Sequence, residues 1–143
     1  MRRKFKKNGV NIRIDSANEN FQSIINCCRV QLSQVFLNLL GNSYDAIEAL
    51  EERWIEIRCE KNAQNLTIKL IDSGNGIPSH IKEKIFQPFF TTKEIGKGTG
   101  LGLSLSHSII KNHQGSFSLD ESMENTCFVI ILPLHGVENA QAS

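Results

Sequence analysis

The chain has 143 residues, enough for one domain with a real core and too few for two. Hydrophobic residues make up 40% and charged residues 22%, which excludes a disordered chain, and the net charge of +1 leaves no field to recruit nucleic acid or a membrane surface. No apolar run approaches the roughly 18–20 residues of a membrane helix, and no secretory signal follows the basic N-terminus. The four cysteines, Cys27, Cys28, Cys59 and Cys127, make no CxxC and no zinc-like set with histidine, so reduced thiols in a cytoplasmic domain are expected.

In chain order, residues 1–9, with Arg2, Arg3, Lys4, Lys6 and Lys7, read as a solvated linker. Residues 10–15 alternate Val10, Ile12 and Ile14 with polar neighbours and predict a strand. A polar stretch follows, then a short strand over 23–26. Residues 30–50 predict the longest helix. Leu32, Val35, Phe36, Leu39, Leu40, Ala46, Ile47 and Leu50 form its apolar stripe, and Gln31, Gln34, Asn38, Asn42 and Asp45 its polar side. Residues 54–60 and 66–72 alternate cleanly around a short polar connection and predict a hairpin.

Residues 72–78 are a glycine-rich turn, and Ser79 caps a short helix carrying Ile81 and Ile85. Residues 87–100 read as a mobile loop. Residues 101–112 predict a second long helix with Leu101, Leu105, Ile109 and Ile110 buried. Residues 116–120 and 126–132 close the domain as a hairpin, Pro133 stops it, and 134–143 form a frayed tail. The domain proper is therefore 10–133. This order predicts an α+β fold: a two-layer α/β sandwich whose mixed, mostly antiparallel sheet has about five strands, with about three helices on one face.

Three constellations carry chemistry. Asn38, Asn42 and Asp45 are spaced four and three apart, so they share a helical face. Amide oxygens are hard, neutral ligands suited to Mg²⁺, which shares its coordination with water and substrate phosphates; an ordinary exposed polar face has the same spacing. Asp72-Ser-Gly74-Asn-Gly76-Ile77-Pro follows a strand. A carboxylate there can accept the exocyclic amine of adenine, and glycines admit a flat ring, though Asp and Gly also dominate plain turns. Gly96-Lys-Gly-Thr99-Gly100-Leu101-Gly102-Leu103-Ser104 runs into a helix with four glycines in seven positions. Its backbone N–H groups and the helix dipole favour an anion. It is neither a P-loop nor a dinucleotide fingerprint. Together the three supply a base site, a metal site and a phosphate site.

Taken together these motifs resemble the ATP-binding domain shared by sensor histidine kinases, heat-shock chaperone ATPases, DNA gyrase and the mismatch-repair ATPases. Residues 34–46 resemble the N box and 72–77 the G1 box, with Ser73 where Asn is commoner. Residues 85–93, Ile-Phe-Gln-Pro-Phe-Phe-Thr-Thr-Lys, resemble the F box, and 98–104 the G2 box. Residues 126–133 resemble the closing strand of the adenine site, with Asn125 in place of the usual glycine. The resemblance implies a Bergerat-type fold binding ATP and Mg²⁺. Asn42 would hold the metal, with Asn38 ligating or orienting nearby. Asp72 would read the adenine amine with Thr126 and a water. Gly76 and Ile77 would pack on the ring. The lid would run from Phe89 to Thr99, with Lys93 meeting triphosphate charge, and Gly100, Leu101 and Gly102 would donate to the phosphates. Asp45, Gly74 and Leu103 complete the expected nucleotide contacts.

By the same resemblance, hydrolytic members carry a glutamate base four residues before the metal asparagine. Here that residue is Asn38, and an amide abstracts no proton. This favours a kinase over an ATPase-gated clamp or chaperone-type domain. A nucleotide-binding module without transferase activity is the other alternative, and the costly glycines argue against it. The implied acceptor is a histidine on a separate dimerisation domain of a two-component kinase, which would pass the phosphoryl group to a response regulator. His80, His107, His113 and His135 lack the context of such an acceptor. The chain is thus expected to be a monomeric cytoplasmic catalytic domain of a kinase that is itself either soluble or membrane-anchored.

Overall fold

The computed structural model describes residues 2–7, 9–16, 29–90 and 101–134. The elements run β1 (Arg2–Lys7), β2 (Val10–Ser16), α1 (Arg29–Ile47), β3 (Trp54–Lys61), β4 (Asn65–Asp72), α2 (Gly102–Asn112), β5 (Ser116–Leu119) and β6 (Cys127–Pro133). All six strands join one sheet in the order β1-β2-β3-β4-β6-β5. Every neighbouring pair is antiparallel except β2 and β3. A parallel pair cannot be joined by a tight turn, so the chain must cross over a face of the sheet. α1 lies within that crossover.

Strand alternation decides what the helices cover. Ile55 of β3, Leu66, Ile68 and Leu70 of β4, and Phe128, Ile130 and Leu132 of β6 are buried on one face. They form a single cluster with Leu32, Val35, Leu39 and Ile47 of α1 and with Ile109 and Ile110 of α2. Leu39 has no exposed surface, and truncating such a side chain to alanine costs about 2–5 kcal/mol. On the far face, Glu56 of β3 is buried although ionisable. Its carboxylate accepts from Arg58 Nε at 3.0 Å and Nη2 at 3.4 Å, and Arg13 stands 3.9 Å away. Cys59 and Cys127 are free thiols, both pushed up in pKa chiefly by burial. Among the described residues, no helix is long and apolar enough to cross a membrane.

The α+β sandwich is the one expected, with six strands rather than about five and, among the described residues, two helices rather than about three. The extra strand is β1, which composition assigns to a linker. It pairs with β2 over its whole length, from Arg2 opposite Asp15 to Lys7 opposite Val10. The missing helix is the one expected behind Ser79. Residues 79–87 form successive turns, closed by Ile81 N–H to Pro78 O, Ile85 N–H to Ile81 O and Gln87 N–H to Lys84 O. The segment is too short to repay helix nucleation, yet it delivers Ile85 to the core.

Two burial expectations also change. Leu101 and Leu105 are 39% and 42% exposed, and Ala46 is exposed. Ile109 and Ile110 are buried as expected, and Ser106, facing Asn38, is the third buried residue of α2. The strand expected over 23–26, most of the expected loop and the tail beyond Leu134 lie outside the described residues.

Candidate functional site

The site begins where β4 ends. Asp72 is 1% exposed. Its N–H donates to Thr126 O at 3.0 Å, which splices the end of β4 to the start of β6. Its Oδ1 accepts from Gly74 N–H at 2.8 Å. Burial raises the Asp72 pKa, and the Gly74 N–H and the hydroxyls of Ser43 and Thr126 pull against that rise. The result is a carboxylate held in one direction at the end of a core strand.

The turn after Asp72 is tied on both sides. Ser73 N–H donates to Trp54 O at 3.0 Å, and Ser73 Oγ accepts from Trp54 N–H at 3.2 Å. On the other side, Gly74 O accepts from Thr126 N–H at 3.3 Å and from Asn125 Nδ2 at 3.1 Å. Gly76 has φ +85, and a Cβ there would meet Glu124 O at 3.1 Å. Only glycine takes that backbone without strain.

α1 reaches the same place from the other layer. Ser43 is 1% exposed, and its hydroxyl has no direct hydrogen-bond partner. It nonetheless lowers the Asp72 pKa, so α1 passes beside the carboxylate one residue after Asn42. Asn42 is half-buried and Asp45 exposed, and each has polar interactions of its own. Asn38 points its side-chain nitrogen at α2, 3.5 Å from Gly102 O and 3.4 Å from Ser106 Oγ. A Cβ on Gly102 would meet Asn38 Cγ at 3.8 Å. α1 therefore meets Asp72 through Ser43 on its buried stripe and the first turn of α2 through Asn38.

Of the residues expected at the site, Asp72, Gly74, Gly76 and Thr126 come together in one turn pair, and Asn38 meets Gly102. Ile77 and Leu103 are partly buried against the core. Phe89 is 74% exposed with φ +67, a left-handed backbone that is strained for an aromatic residue. Leu101 precedes α2 and has no side-chain cap. Lys93, Thr99 and Gly100 lie outside the described residues. Sequence reasoning missed Ser43 and Asn125 as participants. The only trace of Asn125 was its departure from the family's glycine.

The donor set speaks to the metal. Among the described residues no cluster of three or more His, Cys, Asp or Glu side chains could hold an ion. What α1 offers instead is amide oxygen from half-buried asparagines, which suits Mg²⁺ shared with phosphates rather than a protein-caged transition metal.

Residues 28–136 match the family described as histidine kinase-, DNA gyrase B-, and HSP90-like ATPase. The chain belongs to this family. It is 36% identical over 121 residues to the C4-dicarboxylate transport sensor protein DctB of Rhizobium meliloti (strain 1021), covering 85% of this chain and 19% of DctB. It is 41% identical over 130 residues to the signal transduction histidine-protein kinase AtoS of Escherichia coli (strain K12), covering 89% of this chain and 21% of AtoS. The solved catalytic domain of the histidine kinase ThkA superposes with a TM-score of 0.72 at 35% identity, over 87% of this chain and 80% of that one. ThkA in complex with the response regulator TrrA gives a TM-score of 0.69 at 30% identity, over 88% of this chain and 34% of that one. Within the family, then, this is a histidine-kinase catalytic domain, spanning about a fifth of the length of DctB and AtoS.

Proposed function

We propose that this domain binds Mg-ATP and donates the γ-phosphoryl group to a histidine on a separate dimerisation and phosphoacceptor domain of a two-component sensor kinase. The observation that carries the reading is the buried Asp72 carboxylate, fixed by Gly74 and neighboured by Ser43 of α1. Asp72 accepts the exocyclic amine of adenine, with Thr126 beside it. Gly76 and Ile77 lie under the ring. Asn42 would hold Mg²⁺, with Asn38 ligating or orienting nearby and Asp45 at the rim. When bound, Mg²⁺ neutralises phosphate charge. Lys93 adds to that charge balance, Gly100, Leu101 and Gly102 donate backbone N–H groups, and the segment from Phe89 to Thr99 covers the triphosphate, with Leu103 behind it.

In the transfer, the bond from the γ-phosphorus to the bridging oxygen breaks and ADP leaves. A bond from phosphorus to an imidazole nitrogen forms. Neutral imidazole is already a nucleophile near pH 7, so the protein's work is positioning and charge neutralisation. Water is not activated, because Asn38 stands where a carboxylate base would have to be. The phosphoryl group then passes to a response regulator, the class of partner with which ThkA was solved. The setting is cytoplasmic, whether or not the parent kinase is anchored in a membrane.

The test is calorimetric titration of ATP with and without Mg²⁺ into wild type, Asp72→Ala and Asn42→Ala. Binding should vanish with Asp72→Ala and lose its Mg²⁺ dependence with Asn42→Ala. A wild-type domain that binds no nucleotide overturns the reading.

A further inference from the structure

We propose that Asn125 is a positioning residue for base recognition, acting on the Asp72 carboxylate through the Gly74 peptides. The inference rests on Asp72 reading the exocyclic amine of the base. The path has two hydrogen bonds: Asn125 Nδ2 donates to Gly74 O at 3.1 Å, and Gly74 N–H donates to Asp72 Oδ1 at 2.8 Å. Gly74 O has a second donor, Thr126 N–H, but at 3.3 Å it is the longer of the two. Gly74 is buried, and Asn125 half-buried.

There is no slack in this arrangement. A Cβ at Gly74 would sit 2.8 Å from Asp72 Oδ1 and 3.3 Å from Thr126 Oγ1. The carbonyl oxygen of Glu124 would lie 3.1 Å from a Cβ on Gly76, so the two backbones run close there. Asn125 and Thr126 therefore hold the Asp72 turn by hydrogen bonds, with the Glu124 carbonyl close by. Of these, Asn125 alone does so through its side-chain amide, so its contribution can be removed without breaking main-chain pairing. A backbone carbonyl anchored at Gly74 keeps the neighbouring N–H aimed at Asp72 Oδ1. That leaves the carboxylate one fixed direction in which to accept an amine.

The experiment uses the chain as it stands. Affinities of Mg-ATP and of Mg-purine riboside triphosphate, which lacks the exocyclic amine, are measured on wild type, Asn125→Ala and Asn125→Asp, with melting curves for each. Asn125→Ala should weaken ATP by about 3- to 10-fold, the range of one hydrogen bond, and leave the amine-free nucleotide within about twofold. Asn125→Asp keeps the volume but sets an acceptor against the Gly74 carbonyl, so its loss on ATP should be at least as large. If Asn125→Ala fails to fold, the near-isosteric aspartate variant carries the same comparison. Equal weakening of both nucleotides, or unchanged ATP affinity, overturns the proposal. If wild type binds the two nucleotides equally, Asp72 does not read the amine, and the base-recognition reading falls before any variant is made.

Discussion

The side-chain nitrogen of Asn38 lies 3.4 Å from the hydroxyl oxygen of Ser106, joining α1 to α2 through a side chain that is fully buried on the α2 side. The same nitrogen reaches Gly102 O at 3.5 Å. The polar face of α1 is thus partly committed to holding the start of α2.

One consequence is measurable as coupling. Ser106→Ala and Asn38→Ala should each lower stability by about 1 kcal/mol, the net worth of one such hydrogen bond. In a domain of this size that is about 2–4 °C in Tm. The double variant should fall short of the sum by about 0.5–1 kcal/mol. Strict additivity would mean the two side chains do not communicate.

On the proposed reading, Asp72 sets function against stability. Its carboxylate is raised in pKa chiefly by burial. A group raised in the folded state favours folding most below its unfolded pKa and loses that contribution as pH rises through the folded value. Once ionised, the buried carboxylate is therefore a burden. Asp72→Asn should melt about 2–4 °C above wild type without nucleotide, while ATP binding is lost. The advantage should shrink as pH falls and wild-type Asp72 takes up its proton. Melting curves from pH 4 to 8 on both proteins check the sign; an advantage that grows on acidification contradicts it.

Adjacent residues after α2 should respond in opposite ways. Gln114 has φ +60, where a side chain is disfavoured, and Gly115 N–H donates to Ile110 O at 2.9 Å, closing the helix. Gln114→Gly should stabilise by about 0.5–1 kcal/mol. A Cβ at Gly115 would lie 2.5 Å from Ile131 O and 3.0 Å from Leu132 Cδ2, so Gly115→Ala should cost about 2–3 kcal/mol. Urea denaturation of the two variants gives both numbers.

Phe89 buries little surface and holds a left-handed backbone. Phe89→Ala should leave stability within about 0.5 kcal/mol, as for other exposed positions. Phe89→Gly should exceed the alanine variant by about 1 kcal/mol, since only glycine relieves the positive φ. Both should slow phosphoryl transfer if the exposed ring serves the lid, because strain of this kind persists where function holds it. Comparable melting temperatures for alanine and glycine would show that the backbone is not strained there.

Much of this was legible in the sequence, because the signals were local. Asp72 ends an alternating strand and is followed by glycines. The stripe of α1 is regular enough to name Leu32, Val35, Leu39 and Ile47 as core. What stayed hidden depends on partners distant in the chain. β1 lacks an apolar alternation, since its charged residues pair through their backbones. Leu101 and Leu105 lie on the accessible side of α2, while Ser106 takes an inner place opposite Asn38, 68 residues away in the chain. Asn125 bonds to Gly74, 51 residues away. Spacing rules do not reach that far.

The basic N-terminal strand bears on how the domain can be handled. With β1 in place, the sheet's outer edge carries exposed Lys4, Lys6 and Lys7, charges that discourage another chain from adding itself there. A piece trimmed to start at Val10, where composition alone would cut, would bare the backbone of β2 alongside Ile12 and Ile14. Such a piece should self-associate and precipitate as concentration rises, though its nucleotide site would be intact. In this respect the lysine-rich segment behaves as a solubility cuff sewn into the sheet.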